Sequence, residues 1–210
     1  MVLSFITLAA TVPLMVTSTI QLQDQAQNQK EGHELELKTE KCHLIARATK
    51  RMGAKRQNEF KDLVVVLHGG NLYLEPRITT EKHVLTGYLL PFPERSYDGI
   101  VSTINADNML NWIFVKKDTY RLQYGVRAEA QEQLTGPVSL VSGQDEWRLA
   151  FNGWEGFVAV QKGDDWALYF DKDDNGLADR KTGKTVVEVE LVRTAVKKPS
   201  NEDQAEDEPD

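Results

Sequence analysis

The sequence predicts an all-β fold: an antiparallel meander that forms a β-sandwich or a partly closed β-barrel in a single domain. Three observations predict it. Short apolar runs recur from Cys42 onward, many of them rich in β-branched or aromatic residues, as strands on a half-buried sheet require. Turn chemistry separates them in HGGN, NGWEG, QKGDD and DKDDNG, where Gly and Asn supply the positive φ of tight turns. Few stretches carry a 3.6-residue period over a helix-like length, so helix content should be low.

The leader comes first. Residues 1–23 are uncharged, and an apolar run from Val2 to about Val16 is interrupted by Pro13. That run is shorter than the roughly 20 residues of a membrane span. It fits a secretory signal over residues 1–18, with Val16 and Ser18 as the small residues before cleavage, although no Lys or Arg precedes it. The mature chain is then expected outside the cell without a membrane span. A polar linker follows over 19–37, then a β-rich domain over 38–196. The tail, 197–210, has six acids in its last ten residues and too little apolar surface to order itself.

Charge is partitioned along the chain. With 25 Lys+Arg against 32 Asp+Glu the net is −7. Residues 24–61 carry +3, residues 62–196 carry −6 and the tail −4. An acidic body argues against nucleic-acid binding, which needs a basic footprint. The single cysteine excludes an intramolecular disulfide and a Cys-rich zinc site. Cys42, in KCHLIARAT, reads as a small apolar strand residue.

Along the body, the basic stretch 41–61 has seven Lys/Arg and one acid. It is expected to be a solvated loop between the CHLIARA and LVVVL strands. Its dibasic pairs, Lys50–Arg51 and Lys55–Arg56, also resemble protease processing sites. In VVVLHGG an apolar strand leads into a Gly pair, as in α/β-hydrolases, but no G-x-S-x-G elbow exists anywhere. HGGN is therefore read as a hairpin turn with Gly69 and Gly70 at positive φ. Further on, an aromatic-x-Leu-x-aromatic pattern occurs three times, in DTYRLQY, DEWRLAF and DDWALYF. Strand alternation puts Tyr120, Leu122 and Tyr124 on one face, likewise Trp147, Leu149 and Phe151, and Trp166, Leu168 and Phe170. The short links NGWE and KGD suggest that the strands around them form hairpins.

The most specific motif is Asp171-Lys-Asp173-Asp174-Asn175-Gly176-Leu-Ala-Asp179. Asp171, Asp173, Asn175 and Asp179 have the spacing of hard-oxygen ligands in the front half of a calcium loop. Thr182 stands where an EF-hand needs its bidentate Glu, and the flanks read as strands. The motif is either a Ca²⁺ loop within a hairpin or a plain acidic turn. His33, His43, His68 and His83 lack zinc spacing, though the fold could bring His68 and His83 together. Asp145–Glu146 and Asp164–Asp165 are neighbours that point to opposite faces of a strand, so neither is a ready acid/base pair.

The segments KCHLIARAT, LVVVLHGGNLYLEP, HVLTGYLLP, NMLNWIFV, DTYRLQYG, WEGFVAV and WALYFDKDDNGL resemble a group of uncharacterised small secreted β-rich proteins of filamentous fungi. The resemblance spans roughly residues 41–193. It implies a secreted β-rich chain and carries no activity and no functional residues.

Two function classes follow. The first is a secreted non-enzymatic binding protein for a carbohydrate or a host or environmental partner. Trp154 in the NGWEG loop is its best ligand-stacking candidate, with Trp147 and Trp166 beside it. The alternative is a small β-barrel enzyme of isomerase or cyclase type acting on an apolar compound, for which no catalytic residue is assigned. A filled core favours binding, and an open aromatic-lined interior favours the enzyme.

Overall fold

The structure, a computed structural model, describes residues 32–61, 63–78, 80–104, 109–143, 146–180 and 185–196. The expected signal segment, most of the linker and the acidic tail lie outside these residues. The chain divides into two units, residues 1–39 and 40–210. Within the first, residues 32–39 form a helix, α1. The described end of the expected linker is thus helical, in keeping with the helix propensity of its Glu, Leu and Lys residues. The Thr39 hydroxyl donates to the Leu35 carbonyl near its end (2.9 Å). No helix among the described residues is long and apolar enough to cross a membrane.

Among the described residues the second unit carries thirteen strands. They are β1 (Cys42–Ala48), β2 (Leu63–His68), β3 (Asn71–Pro76), β4 (His83–Val84), β5 (Gly87–Pro91), β6 (Asp98–Thr103), β7 (Leu110–Val115), β8 (Leu122–Gly125), β9 (Val138–Gly143), β10 (Glu146–Phe151), β11 (Phe157–Lys162), β12 (Asp165–Phe170) and β13 (Val186–Ala195). Two short helices interrupt them, α2 (Ala54–Glu59) and α3 (Arg127–Ala130). Every pairing between these strands is antiparallel.

Six of the strands close a ring of pairings: β1 on β2, β2 on β3, β3 on β12, β12 on β11, β11 on β13, and β13 back on β1. A second path leaves β1 through β5, β6, β7 and β8 and rejoins at β3. The β9–β10 hairpin hangs from β13. Closure matters because an open edge leaves a row of unpaired N–H and C=O groups.

Local chemistry sets several of these turns. His68 pairs with Asn71 across a two-residue turn, with Gly69 at φ 55° and Gly70 at φ 77°. Lys162 pairs with Asp165 across another two-residue turn, in which Gly163 takes the positive φ (68°). Strand β13 alternates buried Val187, Val189 and Leu191 with outward Glu188, Glu190 and Val192, the period-2 pattern of one buried face.

Three expectations need correction. NGWE does not join a hairpin: β10 pairs with β9 and β13, while β11 pairs with β12 and β13. The long C-terminal strand takes the place beside β10 that β11 would have filled. Tyr120 is not a strand residue either. It sits at φ 58°, before β8 begins, where a tight turn returns its N–H to the Lys116 carbonyl (2.8 Å). The basic stretch is not wholly solvated: it contains α2 and ends on Phe60, which is fully buried.

The aromatic rows fill the interior. Leu122, Leu149, Phe151, Leu168 and Phe170 belong to one buried cluster with residues of β1, β2, β3, β11 and β13. Phe170 meets Phe151 edge-on at 4.9 Å and Phe157 at 5.7 Å, the quadrupole-favoured arrangement. Cys42 is buried within β1, and burial pushes its thiol pKa up. Replacing Phe170 by Ala should cost about 3–5 kcal/mol, measured by denaturant unfolding. Gly70→Ala, which puts a Cβ at positive φ, should cost about 1 kcal/mol.

Candidate functional site

Trp154 is placed by a local device legible in its neighbours. Asn152 and Gly153 lie at φ 52° and 86°, the pair of positive values a two-residue turn of this kind needs. The turn bridges Phe151 to Trp154, with the Phe151 N–H donating to the Trp154 carbonyl at 2.9 Å. The indole then folds back over Gly156. A Cβ on that glycine would come within 2.1 Å of the ring, so only Gly permits this approach. The inner edge of the ring rests on Phe170 (6.0 Å between centroids), leaving Trp154 half-buried.

The indole forms part of the wall of a cleft of about 490 Å³. The same cleft is lined by a charged row on the outward faces of β1, β13 and β10. Arg47 of β1 stands across from Glu190 of β13 in the strand register and binds it at 3.0 Å. The same guanidinium takes Glu146 of β10, with one contact at 3.1 Å. Arg148 of β10 reaches Glu155 at 2.9 Å and Glu190 at 3.6 Å. The Thr49 hydroxyl donates to Glu188 (3.2 Å).

The environments of these carboxyls differ. The hydrogen bond from Arg47 holds the Glu146 carboxyl below the usual carboxylate range. Burial pushes Glu155 above it despite the nearby Arg148 charge, and the Glu190 and Glu146 charges add to the rise. Arg148 bridges Glu155 and Glu190, as Arg47 bridges Glu146 and Glu190.

The acidic loop supports the floor of the cleft. Asp171 is buried, with 4% of its surface exposed. Its two carboxylate oxygens accept the N–H groups of Asn175 (3.2 Å) and Gly176 (2.6 Å). Its own N–H donates to the Gly156 carbonyl at 2.7 Å, tying the loop to the glycine beneath Trp154. Asp173, Asn175 and Asp179 are exposed, and the Asn175 amide donates to Asp179 (2.7 Å). Among the described residues no three His, Cys, Asp or Glu converge as a metal-holding group.

The three tryptophans singled out in the sequence do not meet. Trp147 shares a strand with Glu146 and Arg148, so the pleat turns it to the face opposite Arg148. Trp166 packs edge-on against Phe60 at 4.9 Å, with the Arg56 guanidinium 5.6 Å from its ring centre. The remaining tryptophan, Trp112, is buried against Phe92. His68 and His83 do line one shallow depression, but the His83 Nε2 is engaged by the Thr103 carbonyl (2.7 Å).

Sequence reasoning missed Arg47, Glu146, Arg148, Glu155 and Glu190. The available signal was Glu188-x-Glu190 within a β-branched run, which puts two charges on one strand face and calls for cations across from them.

Comparison with known proteins gives one match. The family model described as the fungal beta-trefoil domain matches residues 16–197. No curated protein and no solved structure matches the chain.

Two outcomes are expected at this site. Asp171→Asn should cost about 1–3 kcal/mol, measured by unfolding in EDTA, because it replaces an acceptor of two backbone N–H groups with an amide. Because the Glu146 pKa is lowered by folding, its stabilisation is present above about pH 4.3 and is lost as pH falls through the folded value. Glu146→Gln should therefore lower the melting temperature at pH 7 by the equivalent of at most about 1 kcal/mol. That gap should close on acidification, and a gap unchanged at pH 3 would refute the linkage.

Proposed function

From the premise that the chain belongs to the fungal beta-trefoil domain family, we propose that it is a secreted, non-enzymatic binding protein whose ligand is a glycan held in the Trp154 cleft. The observation that carries the reading is the placement of Trp154. A half-buried indole, held by Gly156 and Phe170, stands in a cleft lined also by charged side chains. A sugar presents apolar C–H faces and a rim of hydroxyls. An aromatic ring takes the first, and carboxylates and guanidiniums, as acceptor-only and donor-only groups, take the second.

The charged row suits a neutral ligand. Arg47, Arg148, Glu146, Glu155 and Glu190 are engaged with one another, so their geometry is set before binding and little ordering entropy remains to be lost. The uncharged leader supports secretion. The enzyme alternative asks for open space inside the aromatic rows, and those side chains are in contact with one another. Neither Trp147 nor Trp166 lines this cleft, so a ligand contact at either would be a separate site. Ca²⁺ at Asp171–Asp179 is a separate proposal, tested by whether Ca²⁺ raises the melting temperature over that in EDTA.

The test is a glycan array followed by calorimetric titration of every hit. Trp154→Ala should reduce affinity at least about tenfold, as loss of a central aromatic contact does, measured on a variant shown to be folded by a cooperative unfolding transition. An array on which the wild-type chain binds no glycan would defeat the proposal. Retained affinity in Trp154→Ala would move the site elsewhere.

A further inference from the structure

The Trp154 cleft does not end at its charged row. A second cleft of about 590 Å³ lies on the other side and shares Arg47, Lys50, Glu146 and Glu190 with the first. The two are therefore one groove, divided by the Arg47 ion pairs. They differ in character. The first has six acids and four bases in its lining. The second has three bases and two acids. Both of those acids, Glu146 and Glu190, are already bound by Arg47.

What remains in the second cleft is an apolar floor and two ammonium groups. Ile45 and Val192, cross-strand partners in register, supply the floor. Lys50 and Lys61 stand over it, and neither forms an ion pair within 4 Å among the described residues. Gln57 of α2 lines the same cleft, although its amide is turned to the Met52 carbonyl (2.7 Å). Ammonium groups beside an apolar strip fit a flat ring bearing an anion: the ring covers the strip, and the anion meets Nζ.

We infer that this second cleft is a subsite for an acidic sugar, and that the preferred ligand is a short oligosaccharide with a neutral residue on Trp154 and one carboxylate-bearing residue at Lys50 and Lys61. The inference rests on the glycan-binding reading of Trp154. One anion fits better than many. The chain's net charge of −7 and the acid-rich first cleft both repel a polyanion, so discrimination is local and includes a repulsive element.

The experiment uses the full mature chain and an array of neutral oligosaccharides, each matched with a counterpart carrying one uronic acid. Every pair with a binding member is then titrated, with free glucuronate and inorganic sulfate as separate arms. The wild-type chain should bind the acidic member about tenfold more tightly, as one charge-assisted hydrogen bond would provide. Lys61 lines only the second cleft. Lys61→Gln should bring the acidic member down to the affinity of the neutral one, and Lys61→Arg should restore the preference. Trp154→Ala should weaken both members equally.

Equal wild-type affinity for the two members, or a preference that survives Lys61→Gln, overturns the subsite and leaves the Trp154 reading standing. Free glucuronate or sulfate binding as tightly as the acidic oligosaccharide also overturns it, since the anion site would then not extend the sugar cleft. Absence of any binding pair removes both readings together.

Discussion

The antiparallel pairing of the first and last strands is the constraint on which the rest of this molecule depends. Seven consecutive residues of β1 pair with β13, from Cys42 opposite Ala195 to Ala48 opposite Val189. This contact joins the first and last described strands of the second unit and completes the six-strand ring. The alternation that turns Leu44, Ala46, Val189 and Leu191 into the core also turns Ile45, Arg47, Glu190 and Val192 outward. One register thus produces both the packed interior and the charged and apolar row that runs beneath the groove. A one-residue slip would exchange the two sets.

The cleft is coupled to this frame through backbone, not only through side chains. Trp154 depends on two positive-φ residues before it and a glycine beneath it. That glycine is held by the Asp171 N–H, and Asp171 spends its carboxylate on the turn that follows. The acidic loop therefore acts on the site by fixing its floor. Arg47, Glu146, Arg148 and Glu190 of the cleft stand on strands of this frame, and Trp154 on the loop beside them.

The turns were legible from sequence because their chemistry is local. Gly69–Gly70, Asn152–Gly153 and Gly163 take the backbone conformations their residue types favour. The cleft was only partly legible. Trp154 stood out as an aromatic in a Gly-bounded loop. Arg47, Arg148, Glu155 and Glu190 did not, because each looks like an ordinary outward strand or loop residue until its neighbours are known. Glu146 in particular read as half of a poor adjacent pair with Asp145. Its relevant partner is Arg47, about a hundred residues away.

By itself the sequence determined the class of this protein: short alternating strands, turn positions, a buried lone cysteine and aromatic rows suited to a core. Those follow from period-2 patterning and from φ preferences, which act over a few residues. The tertiary structure decided which strands become neighbours. It placed β13 between β10 and β11, set Tyr120 outside its expected strand and buried Phe60 at the end of a basic loop. It also brought five charged residues scattered in the sequence, Arg47, Glu146, Arg148, Glu155 and Glu190, into ion pairs in the Trp154 cleft. These outcomes depend on non-local pairing and on the closure of the ring, in which each pairing is stabilised only when the others have formed.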